Sequence, residues 1–261
     1  MKKFITTLQD IWKIEELKNK IILTLGFMAV YRLMAHVPLP GIDPNQLTAL
    51  TNQTSGGLLG LLNAFTGGAF SKASIMALGV MPYISASIVV QLMGIAVPYL
   101  QKLQKEGESG RKTINQITRW LTIAITVVQG PAYIVNLQQT LPASTFLLGG
   151  AMFWLSSMVL LTAGTVFAMW LGEKITDKGI GNGISLLIMV GIIARFPSAF
   201  MQEVGSRMTQ SNGGLIMILI EIVLWFLVIL ATVFLVTAVR RIAVQYARRT
   251  VAGNVNNIAG A

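Results

Sequence analysis

Residues with catalytic or metal-binding chemistry are scarce in this chain of 261 residues. It has no cysteine and one histidine, His36, which excludes a disulfide framework, a thiolate metal site and a cysteine nucleophile. No carboxylate pair, catalytic triad or cluster of metal ligands stands out, so we predict no enzyme activity, no metal and no cofactor. Gly179, Gly181 and Gly183 form a G-x-G-x-G pattern, but no strand precedes it. That pattern favours a tight turn over a dinucleotide site.

Two ionisable residues, Arg32 and Glu221, lie within long apolar stretches. A charge inside a membrane segment is a functional hypothesis in its own right. Both residues lie toward the outer end of their stretches, where a long side chain can reach the membrane interface. We therefore favour interface anchoring for both over an ion relay.

The composition is typical of a multi-pass membrane protein. Apolar residues make up 54% of the chain and charged residues 11%, against about 25% charged residues in an ordinary soluble domain. The apolar runs do not alternate strictly, and the bilayer offers no partners to the backbone, so we predict an all-α fold. Six runs predict six transmembrane helices, at about residues 21–37, 73–100, 117–137, 146–171, 184–200 and 214–239.

Two other segments are too short or too polar to span. Residues 1–20 predict a cytoplasmic amphipathic helix on the membrane surface, because apolar side chains recur there between lysines. The second segment, at about 57–66, is apolar and flanked by glycine pairs. Its length suits either a short re-entrant helix or an apolar outer loop. The apolar residues of the first segment are Phe4, Leu8, Ile11, Trp12 and Leu17.

The net charge of +10 is explained by membrane topology. Sixteen lysines and arginines fall in segments 1–20, 101–119, 172–183 and 240–261, and three fall in the alternate segments. Cytoplasmic loops carry the excess of basic residues. We therefore expect both chain ends to be cytoplasmic.

Five motifs follow one another along the chain: PLPGID at 38–43, GGAFSKASI at 67–75, ALGVMPYISAS at 77–87, KEGESGR at 105–111 and GEKITDKGIGNGIS at 172–185. In sequence and in order they resemble the SecY family, the central subunits of the protein-conducting channel of the bacterial inner membrane. The resemblance extends along the whole chain.

The resemblance implies a channel subunit that passes unfolded polypeptides across the membrane and inserts helices into it. Implied partners are the SecE and SecG subunits, the SecA ATPase, the ribosome, signal peptides, nascent polypeptides and the lipid bilayer. Family members have ten spans, so we expect this chain to be cut in the cytoplasmic loop that begins at residue 240, with spans seven to ten supplied elsewhere.

Two other classes of function remain open on the residues alone. A secondary transporter or ion-coupled carrier uses broken helices together with charged groups near the membrane midplane. This chain has a broken apolar segment but no midplane carboxylate pair. A structural assembly scaffold is the third interpretation.

The resemblance also implies roles for particular residues. The apolar pore ring would comprise Val80, Ile84, Ile184 and Ile188, and each pair is spaced i, i+4 on one helix face. The plug helix would present Leu58, Leu59, Leu61, Leu62 and Phe65. The lateral gate would include Ser85 and Gln129. A docking surface for the ribosome or SecA would comprise Arg240, Arg241, Arg248 and Arg249.

We predict that Arg248 and Arg249 serve docking, because Arg240 and Arg241 suffice to hold the loop inside. In a channel complete with the remaining spans, the double substitution Arg248→Glu and Arg249→Glu should weaken ribosome or SecA binding about tenfold at low salt, and the difference from the unsubstituted chain should shrink as salt screens these charges. Binding is measured by co-sedimentation and loop orientation by a protease-accessible tag. Unchanged binding with an inverted loop would show that these arginines set topology only.

Overall fold

The computed structural model describes residues 12–54, 56–208 and 214–238, and these residues are almost entirely helical. Within them there is no β-strand, only two isolated bridges, Pro38 to Ser74 and Ile42 to Phe146. The predicted all-α fold is therefore confirmed. The helices are α1 (Glu15–Met34), α2 (Thr48–Gln53), α3 (Gly57–Phe65), α4 (Met81–Ala96), α5 (Pro98–Lys105), α6 (Glu108–Thr140), α7 (Gly150–Lys178), α8 (Gly183–Met208) and α9 (Gly214–Thr237).

The described residues contain four helices long and apolar enough to cross a membrane: α6, α7, α8 and α9. A fifth span is obtained if α4 and α5, which meet at a bend of 100°, are counted as one broken span. Helix α1 is more polar, since only eleven residues separate Lys20 from Arg32. Eleven helical residues cover roughly 16 Å, about half of the hydrocarbon core. The protein is thus a multi-pass helical membrane protein, and the count of six spans stays a prediction.

We predicted one helix over the second apolar run, residues 73–100, and the structure instead forms two helices there, α4 and α5. Helix α4 begins only at Met81, with Pro82 in its first turn. The N–H groups of a first turn have no partner within the helix, so the missing N–H of proline costs no helical hydrogen bond there. Val97 is extended, and Pro98 opens α5 in a new direction. Pro82 therefore starts a helix instead of interrupting one.

The first helix also begins earlier than its apolar run. Ile14 is extended and Glu15 opens α1, which continues without a break through residue 20. The predicted boundary between a surface helix and the first span is therefore not a helix boundary. Residues 1–11 of the predicted amphipathic helix lie outside the described residues.

The chain divides into two compact units, Met1–Phe200 and Met201–Ala261. In the first unit, two groups of buried side chains form the core. One group joins the loop after α1 to α6 and α7 through Leu39, Ile134 and Phe153. The other joins α1, α7 and α8 through Tyr31, Ile175 and Leu187.

Both core groups include residues from one non-helical segment, residues 66–80, which we call the buried turn segment. It connects α3 to α4 through a series of turns, and nearly all of its residues are inaccessible. Phe70 and Ala73 pack in the first group, while Met76 and Val80 pack in the second. This segment therefore sets the position of α3 relative to the first turn of α4.

The three glycines of the G-x-G-x-G pattern form the turn from α7 into α8, as predicted. Gly179 ends α7, and Gly181 has a φ of +71°, a conformation that favours glycine. A side chain at Gly183 would overlap the carbonyl oxygen of Gly172. The motif thus allows two long helices to approach at their backbones.

We predict that Gly164→Ala destabilises the first unit, because a Cβ at this position of α7 would overlap the carbonyl of Ile75 in the buried turn segment. Backbone atoms cannot yield cheaply, so we expect a loss of about 1–3 kcal/mol in the free energy of unfolding. The matched control is Gly26→Ala in α1, where nothing lies within 4 Å of the added carbon. The control should be neutral or stabilising. Unfolding by SDS in mixed micelles measures both, and equal effects would contradict the packing argument.

Candidate functional site

A polar cavity of about 470 Å³ lies between α4, α6, α7 and α8. Its wall carries side chains of both charges together with amides, which is unusual for a space between membrane helices. Three of the four predicted ring residues, Ile84, Ile184 and Ile188, also line it. The other lining residues include Gln91, Arg111, Asn115, Arg119, Glu173, Asp177 and Asn182.

The predicted ring residues lie close together around this cavity. The amide of Ile84 donates to the carbonyl of Val80 at 3.0 Å, one helical turn away. Val80 is only 3% exposed and packs in the same core group as Ile84 and Ile188. Ile184 lies against α7, where its side chain covers Gly172. Val80 does not line the cavity, because the core around it already covers its side chain.

An ion pair that the sequence analysis missed closes one side of the polar cavity. Arg119 of α6 binds Glu173 of α7 through two hydrogen bonds, Nε to Oε1 at 2.9 Å and Nη2 to Oε2 at 2.6 Å. A two-bond arginine–carboxylate pair is geometrically specific and stronger than a single contact. The carboxylate is 21% exposed and the guanidinium 48%. The pair therefore connects α6 to α7 beside the cavity.

A second cavity, of about 350 Å³, is mostly apolar and lies between α3, the buried turn segment, α4 and α6. Leu59 and Leu62 of α3 form one wall, and the predicted gate residues Ser85 and Gln129 face the same space. Asn136, about two turns after Gln129 on the same face of α6, also lines it. Its Oδ1 is buried without a partner among the described residues. The structure thus brings the predicted gate residues to the short helix.

Helix α3 forms at the predicted short apolar segment, and it exposes some of its leucines while it buries a polar residue. Leu58 and Leu61 are 76% and 56% exposed, whereas Leu59, Leu62 and Phe65 are partly buried. Its most buried residue is polar: Asn63 is 1% exposed. An isolated asparagine in an apolar stretch gives no pattern from which this burial could have been predicted.

Three cationic side chains, Arg32, Lys72 and Arg195, lie near one another at the C-terminal end of α3. Arg32 donates from Nη1 to the carbonyl of Gly67 at 2.9 Å, so its guanidinium is bound to the protein. Its anchoring at the membrane interface stays a prediction. Arg195 of α8 lies beside Gly68. Partial burial, with the positive charges of Arg32 and Arg195, lowers the pKa of Lys72. The end of α3 therefore lies in a positive electrostatic environment.

In the second unit, Glu221 pairs with Arg207 at 2.7 Å, and Arg207 also binds Glu203 at 2.8 Å. Both residues of the Glu221 pair belong to helices, α9 and the end of α8. A paired carboxylate is a structural ion pair and gives no support to an ion relay. The predicted docking residues Arg240, Arg241, Arg248 and Arg249 lie outside the described residues.

The fold and its two cavities define a multi-pass helical membrane protein with a polar space between its helices. The chain belongs to the SecY family, whose family model, described as SecY, matches residues 74–259.

Relatives named protein translocase subunit SecY are similar over most of this chain. The chain is 42% identical to the Haemophilus influenzae protein over 234 residues, which is 90% of this chain and 53% of the relative. It is 43% identical to the Vibrio cholerae protein over 236 residues, with the same two coverages. It is 40% identical to the Streptomyces scabiei protein over 258 residues, 95% of this chain and 58% of the relative. The chain thus spans about half the length of the curated relatives it matches.

We predict measurable coupling between Arg119 and Glu173. A double-mutant cycle with Arg119→Leu and Glu173→Gln should give about 1–2 kcal/mol, because the pair is bidentate and partly buried. The matched control is Glu108 with Lys112 on the same α6, a pair 3.3 Å apart with side chains 87% and 78% exposed. That pair should couple by less than about 0.5 kcal/mol. Free energies of unfolding decide the comparison, and equal coupling in both cycles would contradict a special role for the first pair.

Proposed function

We propose that this chain lines the pore of a protein translocation channel, which passes unfolded polypeptides across the membrane and inserts helices into it. The observation that carries the proposal is that Ile84, Ile184 and Ile188 line a polar cavity between four helices. Family membership supports it, since the relatives are named protein translocase subunits.

A row of branched aliphatic side chains beside a polar cavity is suited to gating. Such side chains cannot replace the hydration shell of an ion, so a narrow apolar constriction excludes ions by dewetting. They form no directional bonds, and a passing polypeptide can displace them. In this proposal Val80 supports the ring from behind, because it belongs to the core group against which Ile84 and Ile188 pack.

Helix α3 serves in this proposal as the plug that closes the channel at rest. It is nine residues long, too short to span, and its position is set by the buried turn segment that leads to Val80. Its predicted plug residues differ in exposure, so Leu58 and Leu61 face outward while Leu59 and Leu62 cover the apolar cavity.

Ser85 and Gln129 would contribute to a lateral gate toward lipid. They face the same apolar cavity from α4 and α6. Modest polar contacts suit a seam that must open, because hydrogen bonds between membrane helices contribute only about 0.6 kcal/mol on average.

The remaining assignments also belong to the proposal. The chain would act in the bacterial inner membrane with both ends cytoplasmic, without a catalytic centre of its own. The translocation complex would be completed by spans seven to ten, the SecE and SecG subunits, and the SecA ATPase or the ribosome. The four arginines from Arg240 to Arg249 would meet that cytoplasmic partner.

The function is tested by reconstituting the chain in lipid vesicles with spans seven to ten of a relative, SecE and SecG. Addition of SecA, ATP and an unfolded precursor should carry the precursor into a protease-protected state. Vesicles that lack the present chain are the control. Solute uptake driven by an ion gradient, with no precursor protected, would overturn the proposal in favour of a carrier.

We predict that Ile84→Ser with Ile188→Ser raises ion leak through the complete channel about tenfold or more, because hydroxyl groups wet the constriction. The matched control is Ile95→Ser with Ile193→Ser on the same two helices, where the side chains are 74% and 56% exposed and line neither cavity. Planar-bilayer conductance measures both pairs. Loss of stability without added leak would mean that Ile84 and Ile188 serve packing alone.

A further inference from the structure

Asn63 of α3 forms hydrogen bonds to segments on both sides of the helix. Its side-chain Nδ2 donates to Thr54 Oγ1 at 3.3 Å, and its Oδ1 accepts the backbone N–H of Ser71 at 3.1 Å. Its own carbonyl accepts the N–H of Gly68 at 2.8 Å and the hydroxyl of Thr66 at 3.3 Å. One residue therefore ties α3 to the residue after α2 on one side and to the buried turn segment on the other.

The orientation of the Asn63 amide is determined by its partners. The N–H of Ser71 can only donate, so the oxygen of the amide must face it. The Thr54 hydroxyl is directed at the carbonyls of Leu50 and Thr51, at 2.9 Å and 3.1 Å, which leaves its lone pairs to accept from Nδ2. A reversed amide would place a donor against a donor at Ser71. The arrangement is thus specific to an asparagine in this orientation.

The rest of α3 is held less firmly. Leu58 and Leu61 are largely exposed, and side chains added at Gly56 or Gly57 would meet nothing within 4 Å. The far end of α3 touches α8, where the carbonyl of Phe65 approaches Gly191. Asn63, two residues before that end, makes the side-chain hydrogen bonds that join α3 to Thr54 and to Ser71.

We propose that Asn63 is a latch that holds α3 in the closed position, and that α3 leaves this position only when the amide releases Thr54 and Ser71. The inference rests on the proposed role of α3 as the plug. It assigns the closed state to two side-chain hydrogen bonds in addition to the leucine contacts.

Such a latch responds to hydration. While its surroundings are dry, breaking either bond leaves a buried polar group without a partner, which is costly. When water enters the channel, water replaces both bonds and the net cost falls. The latch therefore couples wetting of the channel to movement of α3, which an apolar contact of similar size would not do.

Since the chain has no cysteine, a spin label can be placed at one chosen site. Leu61→Cys puts the label on the exposed face of α3, and Val159→Cys, 62% exposed on α7, reports on the fold. The chain in lipid nanodiscs is examined by electron paramagnetic resonance. Asn63→Leu keeps similar volume but removes both side-chain bonds, so we expect the mobile fraction at position 61 to rise about tenfold, with no change at position 159.

A matched pair of threonines tests the latch without altering Asn63. Thr54→Val removes the hydroxyl that accepts from Nδ2 and should raise the mobile fraction at position 61 about fivefold. Thr51→Val removes a hydroxyl that bonds only within its own helix, to Leu47, and should leave the spectrum unchanged. Equal spectra for the two valine variants, or a wild-type spectrum at position 61 in Asn63→Leu, would overturn the latch. If Asn63→Leu also mobilises position 159, the fold is lost and the threonine pair alone decides.

The latch and the plug are tested by different measurements. Deletion of residues 57–65 in the reconstituted channel should raise ion leak if α3 is the plug. A mobile label at position 61 in Asn63→Leu without leak in the deletion would retain the latch and overturn the plug. Leak in the deletion with an immobile label would retain the plug and overturn the latch.

Discussion

The structure depends on one constraint: a non-helical stretch inside a helical membrane protein must find a partner for each backbone polar group. The buried turn segment meets this constraint partly with its own turns and partly with side chains. Thr66 and Ser74 accept the N–H groups of Phe70 and Met76 at 3.3 Å and 3.0 Å. Tyr133 of α6 donates to the carbonyl of Phe70 at 2.9 Å. Each of these partners is itself buried, so the segment and its surroundings stabilise one another.

The hydrogen bonds to the backbone of the buried turn segment also position the helices that we propose to act in transport. Arg32 from α1 reaches the carbonyl of Gly67, and Asn63 from α3 reaches the N–H of Ser71. Further along the segment, the N–H of Ile75 donates to the carbonyl of Val37 at 3.0 Å. Helices α1, α3 and α6 are thereby tied to the same fifteen residues. The first turn of α4 then begins at a defined position, which is what a ring residue at Ile84 requires.

Close backbone approach is the second feature on which the packing depends. Gly67 has a φ of +63° and lies directly against the backbone of Gly191, so a Cβ at position 67 would overlap that backbone and a Cβ at position 191 would be a tight contact. The same device joins α7 to α8 at Gly172 and Gly183. Small residues allow membrane helices to approach where no hydrophobic force drives them together.

Hydrophobic run length and glycine spacing are local properties, so the helical class and the glycine turn at 179–183 could be predicted from the sequence. At residues 57–66 the local pattern left a short helix and an apolar loop both open, and only the family resemblance favoured the helix. The five motifs also predicted the family. The start of α4 at Met81, the burial of Asn63 and the contact of Arg119 with Glu173, 54 residues away, become visible only in the folded chain. A buried turn and a membrane span must both be apolar, so hydropathy cannot separate them. Polar pairs across helices form through approach in space, which local spacing does not encode.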